Sequence, residues 1–137
     1  MNPFDQDKKK DKAQLWDMLV ERDSLAFVNQ DWDLVKNDFV AEHFMGIHAH
    51  NESNPDLWKI SFPNLTSYQK EWLKQAKDFY NESWTEKPYD ILLKVTYLDE
   101  IEICEDKAIL HKKFSGFAEK TNGEKITFSW QTIYRCV

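Results

Sequence analysis

Hydrophobic and polar positions change period along this chain, and each change marks a predicted element. From residue 12 to about residue 29, Leu15, Trp16, Leu19, Val20, Ala26 and Phe27 recur at spacings of three and four, the signature of an amphipathic helix. Arg22 and Asp23 interrupt that stripe and turn polar groups toward the interior. Gln30-Asp31-Trp32-Asp33 breaks the helix, with Asp31 as N-cap of a short second helix carrying Leu34, Val35 and Phe39. Residues 44–50 alternate as a strand does. A loop over 51–56 follows, then an apolar segment, residues 57–62, that Pro63 ends. Thr66 and Gln69 form a capping-box pattern for a third helix running to about residue 81. Its buried stripe is Tyr68, Trp72, Ala76, Phe79 and Tyr80. A loop around Pro88 leads into residues 89–137, which read as a three-stranded antiparallel meander.

The meander organises the rest. Asn122-Gly123 between two β-rich runs signals a hairpin, because a type I′ turn needs φ > 0 at both central residues. A two-residue loop sets Phe117 opposite Phe128, Ser115 opposite Trp130, Lys113 opposite Thr132 and His111 opposite Tyr134, all on one side of the sheet. Leu110, Lys112, Phe114 and Gly116 then occupy the other side, opposite Arg135, Ile133, Gln131 and Ser129. A second turn near Glu105-Asp106-Lys107 joins the first two strands. It puts Leu93, Val95, Tyr97, Ile101 and Ile103 on the Phe114 side. Neither side is purely apolar, so both are expected to be used, one toward helices and a partly polar cavity, the other toward a second subunit. Helices followed by a long meander make an α+β order.

Composition narrows the function classes. A chain of 137 residues is one domain, here a flexible tail over 1–11 and a single domain over 12–137, and 15% aromatic residues rule out a disordered chain. Six tryptophans and nine phenylalanines build a large core or line a cavity for a flat apolar ligand. A net charge of −6 argues against nucleic acid or an anionic membrane as partner. No stretch is apolar enough for a membrane span or a signal peptide. Cys104 and Cys136 form neither a disulfide framework nor a metal-binding spacing, so the cytoplasm is the expected compartment. No Gly-rich phosphate loop or nucleophile elbow is present, and any chemistry is expected to need no cofactor.

Arg22-Asp23 with Phe27, Asp31-Trp32-Asp33, Phe44-Met45-Gly46-Ile47, Tyr68 with Trp72-Leu73, and Glu105-Asp106-Lys107-Ala108-Ile109-Leu110 together resemble the nuclear transport factor 2-like superfamily, in its SnoaL-like (polyketide-cyclase-like) branch. The resemblance implies a cone-like curved antiparallel sheet with N-terminal helices packed on its concave face. It also implies an internal pocket and, often, a homodimer. Enzymes of that kind perform isomerisation, aldol cyclisation, dehydration or epoxide hydrolysis, and many members only bind a ligand. The family continues past a strand like residues 130–137 into one more strand, whose absence would leave an open edge.

Candidate chemistry centres on histidine and tyrosine. His48 and His50 lie two apart on a strand and point the same way, as a metal or an acid/base pair needs, or as two histidines on a rim would. His111 opposite Tyr134 makes a couple able to donate to a substrate carbonyl, or a satisfied core tyrosine beside a surface histidine. Trp58 and Trp130 are candidate walls, with Lys113 beside them. Asp23 is placed to pair with Arg22 or Arg135. Metal ligation is not expected.

Two readings follow. In the first, the protein binds a small, largely apolar ligand in an internal pocket and catalyses proton transfer (isomerisation, aldol cyclisation or dehydration) on a carbonyl compound. His48, His50, His111 and Tyr134 are then the catalytic candidates, and Trp58, Lys113 and Trp130 the ligand-binding ones. In the second it is a non-catalytic ligand-binding or dimerisation module.

Overall fold

A computed structural model describes residues 2–4, 10–48 and 52–137. The first helix begins as α1 (Lys10–Trp16), widens into a π-helical stretch (Asp17–Arg22) and continues as α2 (Asp23–Val28) without leaving helical backbone angles. Residues 2–4 fold back on it: the Asn2 side chain donates to the Ala13 carbonyl at 2.9 Å and to Asp17 at 2.8 Å. Short 3₁₀ turns follow, the first over Trp32–Leu34. Asp31 precedes that turn, but its side chain caps nothing.

Strands β1 (Gly46–His48) and β2 (Lys59–Phe62) pair antiparallel as a small sheet of their own. Helix α3 (Leu65–Tyr80) starts two residues earlier than Thr66 as N-cap implied. Asn64 accepts from the Ser67 N–H at 2.9 Å, and the Ser67 hydroxyl closes the reciprocal bond of the capping box. Helix α4 (Pro88–Val95) occupies what reads in the sequence as loop and early strand. Pro88 suits a first helical turn, where no N–H partner is lost, and Ile91, Leu92 and Val95 bury at helical spacing.

Strands β3 (Thr96–Cys104), β4 (Lys107–Glu119) and β5 (Lys125–Cys136) form the expected meander in the order β3-β4-β5. Its register is one residue away from the expected one. The β4–β5 loop holds three residues, not two: Gly123 N–H donates to the Lys120 carbonyl at 2.9 Å, and Lys120 N–H to the Glu124 carbonyl at 2.8 Å. Asn122 keeps a negative φ and only Gly123, at φ +90°, enters the left-handed region. That is a type I turn closed by a left-handed glycine, the common three-residue hairpin. Ser115 therefore faces Ser129, Phe114 faces Trp130, Leu110 faces Tyr134 and His111 faces Ile133. A one-residue slip exchanges the two faces of a strand. In β3 a bulge at Asp99 to Glu102, with Glu100 at φ +49°, changes the parity again. Thr96 and Leu98 bury, while Tyr97 turns out to solvent.

The α+β class holds, but the cone-like curved sheet does not. Among the described residues there are two separate sheets, and neither is closed or strongly curled. The reason lies in the ladders. Among the described residues, β4 and β5 pair without a bulge from Ala108↔Cys136 to Glu119↔Lys125, so the curvature a bulge adds is missing from that ladder, and β1–β2 pair with each other instead of widening the sheet. There is no concave face for the helices to fill, and the resemblance to the nuclear transport factor 2-like, SnoaL-like fold fails on this point.

The helices instead lie against the β4-centred inner face of the three-stranded sheet. Trp16, Leu19, Val20, Leu98 and Leu110 form one buried cluster, Ala26, Trp32, Val35, Trp72 and Ala76 a second, and Ile91, Val95, Ala118 and Phe128 a third. Among the described residues, no helix is long and apolar enough to cross a membrane.

Candidate functional site: a buried lysine on the inner sheet face

The inner face of β4 alternates Ala108, Leu110, Lys112, Phe114 and Ala118, so one cation stands in an apolar row. Lys112 sits between Leu98 of β3 and Thr132 of β5, with only 2% of its side chain exposed. An isolated ammonium there would be several kcal/mol too costly to bury. Asp23, the first residue of α2, supplies the counter-charge: Lys112 Nζ donates to Asp23 Oδ2 at 2.7 Å. The other Asp23 oxygen accepts from Trp72 Nε1 at 3.4 Å. Asp23 thus ties the first helix, α3 and the sheet together. Its neighbour Arg22 diverges outward into a two-bond pairing with Asp38, which holds the guanidinium above its usual pKa.

The two ends of the pair differ in environment. Asp23 keeps 25% of its side chain in contact with solvent. On the β5 side, Trp130 is 49% exposed although it lies on the inner face, and Thr132 is exposed beside Lys112. The helices therefore cover β3 and β4 but leave part of β5 bare. Trp130 stacks on Phe114 with ring centroids 4.7 Å apart, and the Phe114 ring lies 5.3 Å from Lys112 Nζ. A lysine ammonium has three donors. One is spent on Asp23, and the π-face of Phe114 offers only a weak second partner.

Tyr68 of α3 and Tyr134 of β5 complete the centre. The Tyr68 ring is surrounded by Trp32, Phe39, Phe44 and Phe62, with centroid distances from 5.2 to 6.1 Å. The Tyr68 phenol and that of Tyr134 are close enough to influence each other's ionisation. Burial pushes both phenols above their ordinary pKa. At Tyr68 the nearby Tyr134 and Asp23 add to that rise and Lys112 opposes it, and at Tyr134 the Asp23 charge adds to it. Both are neutral hydroxyls near neutral pH. Thr96 Oγ1, on the inner face opposite Phe114, is buried without a hydrogen-bond partner among the described residues.

The expected site residues divide. Tyr134 and Trp130 share the inner face with Lys112. His111 and Lys113 lie on the opposite, outward face, where His111 Nε2 is 3.3 Å from Glu100 and Lys113 Nζ is 3.0 Å from Asp99. The His111–Tyr134 couple therefore does not form, because the three-residue loop shifts the register by one. Lys113 lowers the Asp99 pKa and is itself raised. Trp58 belongs to the loop before β2, where its Nε1 donates to the Glu52 carbonyl at 2.6 Å. His48 ends β1 opposite Lys59, and its side chain and the whole of His50 lie outside the described residues. Asp23 pairs with neither Arg22 nor Arg135. Among the described residues, no three His, Cys, Asp or Glu side chains converge as a metal ion would require.

Lys112, Asp23 and Tyr68 are the residues that sequence reasoning passed over as a centre. A lysine at the same parity as Leu110 and Phe114 was the available signal. An open groove of about 330 Å³ lies elsewhere, between Gln14, Leu15 and Met18 of the first helix and the β3–β4 turn, and the charges that line it, Asp11, Glu105, Asp106 and Lys107, are exposed to solvent.

No protein-family model, no curated protein and no solved structure matches this chain. With the uncurled sheets, this overturns the assignment to the nuclear transport factor 2-like superfamily.

Proposed function

We propose that residues 12–137 act as a small-molecule-binding domain. The ligand is small and largely apolar, and it carries a carbonyl or carboxylate oxygen that Lys112 receives. The observation behind this reading is the Lys112 ammonium, 2% exposed, fixed by one carboxylate and with donor capacity left over. Phe114 and Trp130 offer stacked aromatic surface beside it, and the neutral Tyr68 and Tyr134 hydroxyls lie on the same side of the sheet. A few polar groups set in an apolar, aromatic surround are the usual composition of a ligand site.

Binding is favoured over turnover. Proton transfer near neutral pH needs a group that changes protonation there, and burial drives both tyrosines away from that range. His111, the histidine expected beside Tyr134, faces the other side of the sheet. The non-catalytic alternative is thus the better-supported half of the two readings. The free thiols of Cys104 and Cys136 fit a reducing cytoplasm. A homodimer remains part of the proposal.

Native mass spectrometry of protein purified without added ligand tests it. The parent should carry a small organic adduct that Lys112→Met loses. An adduct retained in full by Lys112→Met would place the binding elsewhere.

A further inference from the structure

We infer that β5 is a self-pairing edge, and that two copies of this chain join there, antiparallel, into one continuous six-stranded sheet. The inference is independent of ligand binding at Lys112.

The two edges of the three-stranded sheet are built differently. β3 carries Asp99, Glu100 and Glu102 and is broken by a bulge, with Glu100 at φ +49°. Charges and bulges are the devices that keep an edge strand from pairing. β5 has none of them. From Ile126 to Tyr134 it holds no charge, no proline and no bulge, and β-branched and aromatic residues dominate. Among the described residues, no strand pairs with its outer edge.

The hydrogen-bonding groups on that edge follow from the turn. Lys120 N–H binds the Glu124 carbonyl, so the even-numbered residues of β5 direct their N–H and C=O groups at β4. Thr127, Ser129, Gln131, Ile133 and Arg135 direct theirs outward. These groups suit a partner strand, and side chains flanking the edge are already exposed: Trp130 on the inner face and Ile133, 61% exposed, on the outer.

Charge excludes one register and permits its neighbour. A two-fold axis at Trp130 would set Lys125 against Arg135 twice, and like charges directly opposite are unfavourable. An axis at Gln131 avoids this. Gln131 then faces its own copy, Ser129 faces Ile133, and Thr127 faces Arg135. On the inner face Trp130 meets Thr132, and Phe128 meets Tyr134. A second copy of this chain thus fits the edge without a charge clash, and the blocked β3 edge closes the assembly at two.

Sedimentation of the full chain tests this with Gln131→Lys and Gln131→Glu. Gln131 is exposed, so both variants should keep the parental circular dichroism. The parent should sediment as a dimer at micromolar concentration. Each variant should be monomeric, because equal charges meet on the axis, and an equimolar mixture should recover the dimer. A monomeric parent would overturn the inference and leave the edge to a strand from another protein. Variants that remain dimeric would place the interface elsewhere and overturn it too, as would open-ended assemblies.

Discussion

Lys112 of β4 and Asp23 of α2, separated by 89 positions in the chain, meet at 2.7 Å with the lysine buried and the aspartate partly open to solvent. This asymmetry makes the two residues unequal under mutation. Asp23→Ala leaves an unpaired ammonium inside the protein, whereas Lys112→Met leaves a carboxylate that still reaches water and Trp72. We expect Asp23→Ala to cost about 3 kcal/mol or more, and Lys112→Met to fall within about 1 kcal/mol of the parent. Urea unfolding of the two variants measures the difference, and equal losses would contradict it.

Alkaline pH should act through the tyrosine pair. Burial raises the folded pKa of Tyr68 and Tyr134 above the unfolded value, so the folded state holds those protons longer. Stability from this source is intact below the unfolded phenol pKa of about 10 and falls as pH rises beyond it. Denaturation midpoints followed through that window should drop for the parent. Tyr134→Phe should flatten the drop, and an unchanged slope would remove the pair as its cause.

Gly116 and Gly123 separate two costs of replacing glycine. Both sit at positive φ, +145° and +90°. A Cβ at Gly116 would meet Val95 Cγ1 at 2.9 Å, while one at Gly123 meets nothing within 4 Å. Gly123→Ala should therefore cost only the backbone term, about 1–2 kcal/mol, and Gly116→Ala more. Shortening the neighbour to Val95→Ala should recover part of the Gly116→Ala loss and none of the Gly123→Ala loss. Recovery at both sites would show that the contact is not the cause.

The same glycines explain what the sequence made legible. The position of the β4–β5 turn can be read from Asn122-Gly123, and so can the meander. The loop length cannot, because Asn-Gly serves a two-residue loop with both residues at positive φ and a three-residue loop with only the glycine there. That single residue moved His111 and Lys113 outward and brought Lys112 and Tyr134 to the same face. Helix α4 was hidden for a related reason. Ile91-Leu92-Leu93-Lys94-Val95 is a short apolar run that fits strand or helix, and contacts with β4 decide it. The polar centre depended on a pairing 89 positions apart, which local periodicity does not report. The curl of the sheet was expected from resemblance alone, and the unbroken β4–β5 ladder removes it.

The cysteines should differ in reactivity. Cys104 is exposed, while burial raises the Cys136 thiol above its ordinary pKa and keeps it protonated. A thiol reagent at pH 8 should label one site quickly and one slowly, with the fast phase absent in Cys104→Ser. Loss of the slow phase in that variant would reverse the assignment.

The most direct test of the Lys112 centre is a titration of indole-¹⁵N-labelled protein with an aryl carboxylate, an aryl methyl ketone and the parent arene, followed by NMR. The Trp72 and Trp130 indole signals should shift and saturate with the two oxygen-bearing probes, more weakly with the arene, and Lys112→Met should abolish that preference. Equal shifts from all three probes, or a preference that survives in Lys112→Met, would contradict the account.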